Sequence, residues 1–164
     1  MTRRNAMVVV LGMAWALQSG AAQAWGGTVT RVSDGDTLWV RPASGGKPVK
    51  VRIAGIDAPE ICQAHGQAAR AALAQRLLGR SAEFETRRKD DYGRTVVVLR
   101  HDGEDIAEWL VGQGHAWAYG FGRHGGPYAA QQALAQAAKR GLFADHMALE
   151  PRLFRRRHGA CSWQ

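Results

Sequence analysis

Two strand-like runs joined by a tight reversal constrain this chain more than anything else in it. Leu38 to Arg41 and Lys47 to Ile53 are separated by Pro42-Ala43-Ser44-Gly45-Gly46. In the second run Val49, Val51 and Ile53 share one face, and Lys50 and Arg52 the other, which is the period of a half-buried strand. An antiparallel hairpin turning near Gly45 sets Asp36 across from about Ala54, with Asp57 just past the paired end. Asp34-Gly35-Asp36-Thr37 and Arg52-Ile53-Ala54-Gly55-Ile56-Asp57-Ala58-Pro59-Glu60 then gather four carboxylates near one arginine. Like charges held so closely repel. A bound hard cation is the usual compensation, because it takes oxygen ligands and inverts the local electrostatics.

The 164 residues suffice for one domain, and the first 24 read as something else. Thr2-Arg3-Arg4 is a short basic start, Ala6 to Leu17 is an apolar run interrupted by one glycine, and Ala22-Gln23-Ala24 is a small-x-small cleavage site. This is the pattern of a secretory signal peptide. The apolar run is too short for a membrane span, which needs roughly 20 residues. The expected divisions are therefore a leader over 1–24, a domain over 25–147 and a basic tail over 148–164. Export points to the periplasm or the exterior, with no stable membrane association once the leader is removed.

Of the 22 basic residues the leader holds two, and it holds none of the 14 acidic ones, so the mature chain carries about +6. A basic exported domain suits a polyanion, since Lys and Arg neutralise phosphates and release counterions. The tail's Arg155-Arg156-Arg157-His158 reads either as a solvated terminus or as an extra phosphate contact. Export also permits a disulfide between the two cysteines, Cys62 and Cys161. That bridge would tie the tail against the acidic motif; free thiols or pairing between chains are the alternatives. No Cys/His spacing points to zinc.

Strands are predicted over Thr28–Val32, Leu38–Arg41, Lys47–Ile53, Ala82–Thr86 and Thr95–Leu99. Helices are predicted over Gln67–Leu78, ended by Gly79, over Ile106–Val111, capped by Asp105, and over Pro127–Arg140. Three strands, a helix, two strands and two helices describe an α+β chain that is mainly β: a five-stranded oligonucleotide/oligosaccharide-binding (OB-fold) barrel with three packed helices.

Inside that pattern the motifs Asp34-Gly35-Asp36-Thr37, Arg52 through Glu60, Asp91-Tyr92-Gly93-Arg94 and Gly112-Gln113-Gly114 stand in a particular order and spacing. The chain resembles the staphylococcal-type thermonucleases, the micrococcal nuclease family, over nearly all of Thr28 to Leu142. It departs from the family pattern at Ala58, where threonine is usual, and at Asp91, where lysine is.

The resemblance implies a Ca²⁺-dependent phosphodiesterase acting on DNA and RNA. By position, Asp36, Asp57 and the backbone carbonyl of Ala58 would ligate the ion, with Asp34 near it through water. Arg52 and Arg94 would grip the scissile phosphate, and Glu60 would act on the attacking water. Tyr92 is placed for a terminal phosphate. Trp117, Tyr119 and Phe121 are candidates for base stacking, or alternatively for packing. The chemistry of the residue types agrees. Phosphodiester hydrolysis builds negative charge on the equatorial oxygens, which a cation and two guanidiniums stabilise. A carboxylate within reach helps water attack. Two rival readings are a non-catalytic nucleic-acid-binding barrel and a carbohydrate or envelope interaction module with structural calcium. Nothing in the sequence calls for more than a monomer.

Overall fold

The computed structural model describes residues 24–120, 126–159 and 161. The leader and Phe121 lie outside the described residues, apart from Ala24. In chain order the elements are β1 (Ala24–Val32), β2 (Thr37–Pro42), β3 (Val49–Ile53), β4 (Ile56–Asp57), α1 (Gly66–Leu77), β5 (Ser81–Lys89), β6 (Thr95–His101), β7 (Glu104–Asp105), α2 (Ile106–Gly112), β8 (Trp117–Ala118), α3 (Ala129–Ala137), a 3₁₀ turn (Gly141–Ala144) and α4 (Pro151–His158).

The five long strands close into a barrel. Their order is β3-β2-β1-β5-β6, and β6 returns to pair with β3 in parallel, Arg52 facing Val96. Closure leaves no open edge among these five strands. Alternation drives it: Val29, Leu38, Val40, Val51, Phe84, Val97 and Leu99 are fully buried inside. Helix α1 packs its Leu73 and Leu77, and α2 its Ile106 and Leu110, onto that interior. Trp25 extends the core at its rim, stacked on Phe84 with ring centroids 4.6 Å apart and its Nε1–H donating to Thr86. Among the described residues no helix is long and apolar enough to cross a membrane.

Four details differ from the sequence expectation. The hairpin register is one residue tighter: Thr37 faces Arg52, and the Ile53 N–H donates to the Asp36 carbonyl at 2.9 Å, so Asp36 faces Ile53 and not Ala54. Strand β1 begins at Ala24 because its first residues pair with β5, Ala24 against Glu85. The third helix is shorter than Pro127–Arg140, since Lys139 turns to φ 50° and breaks it. A fourth helix, α4, forms where a tail was expected.

Asp105 caps α2 as the sequence predicts. Its side chain accepts from the N–H groups of Ala107 and Glu108, and its other oxygen accepts from the Tyr128 hydroxyl at 3.0 Å. One carboxylate thus satisfies a helix start and ties α2 to the approach of α3. Asp105→Ala is expected to cost about 2 kcal/mol, read as a lower urea midpoint with an unchanged slope.

Candidate active site

A cleft of about 480 Å³ is lined by the β1–β2 loop, the segment from Arg52 to Glu60, the β5–β6 turn, Tyr119 and Arg155. Arg52 lies on the polar side of β3, as the alternation requires, and its guanidinium forks between two carboxylates. Nη1 donates to Asp36 and Nη2 to Asp57, each at 2.8 Å, and Nη2 also reaches the Ile56 carbonyl. Both aspartates are only 3% exposed. The Thr37 hydroxyl donates to Asp36 Oδ1 at 2.9 Å and the Ala58 N–H to Oδ2 at 3.1 Å. Burial opposes the charge on Arg52, but Asp36 and then Asp57 outweigh it and hold the guanidinium above its ordinary range.

Asp34 completes the acidic group from the loop side, its Oδ1 accepting from the Asp36 N–H at 3.2 Å. Burial first, and then the charge of Asp36, push its carboxyl up to about 7. The loop lies this low because Gly35 has no side chain. A Cβ there would come within 2.7 Å of the Cβ atoms of both Ala58 and Ala69.

Glu60 is fixed through its backbone. Its N–H donates to the Gln63 side chain at 3.1 Å, and its carbonyl accepts from the Gln63 N–H at 2.8 Å. That carbonyl also rests on Gly66 at the start of α1, where a Cβ would approach it to 1.9 Å. Gln63, which is buried, donates onward to the Leu149 carbonyl at 2.7 Å. His65 meets Asp145 at 3.1 Å, and Cys62 is bridged to Cys161. The Glu60 loop is thus fastened at three points to the chain after residue 144.

That last part of the chain enters the site itself. Arg155, on α4, donates from Nη1 to Glu60 at 2.7 Å and to Asp57 Oδ1 at 3.2 Å, and from Nη2 to Asp57 Oδ2 at 2.9 Å. Of the two readings the sequence left open for Arg155-Arg156-Arg157-His158, neither describes this arrangement, in which a guanidinium pairs with the site's own acids. A signal was available: Pro151 at the first helical turn and Gly159 just past the last.

Arg94 faces the same cleft from β6 side of the turn. Its Nε donates to Asp90 at 2.7 Å, its backbone N–H to the same carboxylate at 2.9 Å, and its Nη1 lies 3.5 Å from the Thr37 hydroxyl. Burial would raise the Asp90 carboxyl, but the Arg94 hydrogen bonds outweigh it and hold it below the usual range. Sequence reasoning passed over Asp90 and Gln63, and gave Arg155 no pairing with the site's acids. Tyr92 stands at the hairpin tip, 85% exposed, beside the Arg94 guanidinium at 5.3 Å. Tyr119 lines the cleft, its N–H donating to the Gly55 carbonyl. Trp117 pairs by backbone with Asp57, but its ring meets Phe143 edge-on at 4.9 Å and is not among the residues lining the cleft. Of its two sequence readings, packing describes it.

Among the described residues no three His, Cys, Asp or Glu side chains converge as a ready metal cage. Asp36 and Asp57 are turned to guanidiniums. The donor chemistry nevertheless fits a hard cation. Every acidic group here offers oxygen, and Asp34 needs positive charge beside it to ionise fully at neutral pH.

The family of staphylococcal nuclease homologues (SNase) matches residues 50–145. An uncharacterized endonuclease of Haemophilus influenzae is 40% identical, over 78% of this chain and 71% of its own. Protein ParB of Escherichia coli is 36% identical over 95% of each chain. A micrococcal nuclease of Shigella flexneri is 36% identical, over 79% of this chain and 80% of its own. The family match begins inside β3 and runs through α3, so it takes in Arg52, Asp57, Glu60 and Arg94. On that coverage, and on the barrel that carries it, the chain belongs to the staphylococcal nuclease family, a family of nucleases.

Proposed function

We propose that the mature protein is an exported, Ca²⁺-dependent nuclease that hydrolyses DNA and RNA with low sequence specificity. The observation that carries this reading is Arg52 forked between Asp36 and Asp57, with Glu60 and Arg94 lining the same cleft. Membership of a nuclease family supports the reaction class. The chain's leader-like first 24 residues support export to the periplasm or beyond.

In this reading Asp36, Asp57, the Ala58 carbonyl and Asp34 would hold the cation. When bound, it supplies positive charge to the phosphate oxygens as the bonds at phosphorus change. Glu60 accepts a proton from the attacking water or orients it. Arg52 and Arg94 take equatorial oxygens, their planar forks matching phosphate. Asp90 engages the Arg94 Nε and so turns its remaining donors towards the cleft. Tyr92 and Tyr119 offer a hydroxyl and a ring to the strand on either side. An open cleft of this kind suits an unstacked strand, so single-stranded nucleic acid should be cut at least as readily as duplex.

Purified mature protein is expected to degrade denatured DNA with Ca²⁺ and to stop when a calcium chelator is added. Digestion that continues unchanged in chelator would overturn the metal assignment, and a gel shift without digestion would favour a binding module. Arg52→Ala and Glu60→Ala should each lower kcat by about 10²-fold or more, with unfolding measured in parallel. Near wild-type turnover in both would remove them from the mechanism.

The metal-free protein should also respond to pH. The Asp34 carboxyl is raised from 3.8 to about 7 on folding. Between those values the folded chain holds a proton that the unfolded chain has lost, so this group's contribution to stability falls as pH rises through that window. Asp34→Asn should flatten that part of the slope, checked by urea midpoints between pH 4 and 8 in chelator.

A further inference from the structure

Arg155 pairs with the two acids that the proposed mechanism needs most: Asp57 as a metal ligand and Glu60 as the group acting on water. Its contacts with Asp57 are bidentate, and one more nitrogen contact closes on Glu60. Together with the Arg52 contact they give both Asp57 oxygens a guanidinium partner. Arg52 alone faces Asp36 and Asp57 and balances one of their two charges. The second positive charge comes from α4.

We propose that Arg155 is a further residue of the active site: it is the built-in counter-ion of Asp57 and Glu60, and it and the divalent cation compete for Asp57. This rests on the metal reading given above. Asp57 already holds two guanidiniums, and a third positive group on one carboxylate adds repulsion, so the ion's arrival turns away the more exposed of the two, Arg155, at 35% against 20% for Arg52. The side chain is free to do so, being 35% exposed where the side chain of its partner Asp57 is 5%. The helix that carries it need not move. Gln63 holds Leu149 before the helix, His65 holds Asp145, and the Cys62–Cys161 bridge closes three residues after its end. The same bridge therefore keeps the guanidinium at high local concentration over the acids. Cutting it should weaken the competitor without removing it.

Isothermal calorimetry with Ca²⁺ on the mature protein tests this without relying on turnover. Arg155→Gln is expected to bind Ca²⁺ at least tenfold more tightly than wild type, the scale of one lost charge-assisted bond. Arg155→Lys, which keeps the charge and loses the fork, should fall between the two, and so should the double variant Cys62→Ser, Cys161→Ser. In chelator Arg155→Gln should melt below wild type, and Ca²⁺ should raise its Tm by more. Equal or weaker Ca²⁺ binding by folded Arg155→Gln would overturn the competition while leaving the metal reading intact. Absence of Ca²⁺ binding by wild type and all variants would overturn both. If Arg155→Gln proves too unstable to titrate, Arg155→Lys and the cysteine double variant decide the matter by the same comparison.

Discussion

The site depends on one guanidinium shared by two nearly buried carboxylates. Arg52 draws Asp36, from the end of the β1–β2 loop, and Asp57, from β4, to either side of a single planar group. Removing one member of such a set leaves a charge stranded in low dielectric, at a cost of about 3–5 kcal/mol. The set is also unbalanced by one negative charge, which explains why further cations gather there. Arg155 answers that deficit from the last helix. A hard metal ion answers it in the reading proposed for catalysis, and Asp34 is pushed up to about 7 by its burial and then by the charge of Asp36.

Barrel closure makes this geometry rigid. The β3–β6 parallel pairing sets Arg52 beside Val96, two residues after Arg94, so Arg52 is positioned by a strand and Arg94 by the Asp90 turn that leads into the neighbouring one. The glycines do complementary work. Gly35 lets the acidic loop settle against Ala58 and Ala69, and Gly66 lets the Glu60 carbonyl rest on the first turn of α1. Each close approach fixes a backbone that carries a functional carboxylate. The charged groups thus inherit their precision from apolar packing and from the absence of two side chains.

Much of this was legible in the residues. Period-two alternation gave Lys47–Ile53 and Ala82–Thr86, the β-branched run Val96-Val97-Val98-Leu99 gave another strand, Ala69, Leu73 and Leu77 gave the buried face of α1, and Asp105 announced its own helix. The hairpin register came out one residue loose because Gly45 and Gly46 both take positive φ, which sets the turn centre between Ser44 and Gly45. Helix α4 escaped because four consecutive basic residues read as a solvated tail and masked the start and stop marked by Pro151 and Gly159. Its order comes from tertiary anchors. Gln63 and Asp90 act on backbone or on a neighbour's orientation, and residue type alone cannot reveal that. Residue type gives Trp117 and Tyr119 the same two readings, stacking or packing, and β8, which spans only Trp117 and Ala118, is too short for alternation to separate them.

The cystine has a topological consequence when the chain is nicked. The hairpin tip at Tyr92 is the kind of exposed turn where nicking begins, and it falls between Cys62 and Cys161. A single cut there yields two pieces that stay covalently fastened, one holding β3 and the other β6. The seam that closes the barrel joins those same two pieces. The molecule is therefore wired so that scission at this exposed turn separates no strand pair of the closing seam and releases no fragment.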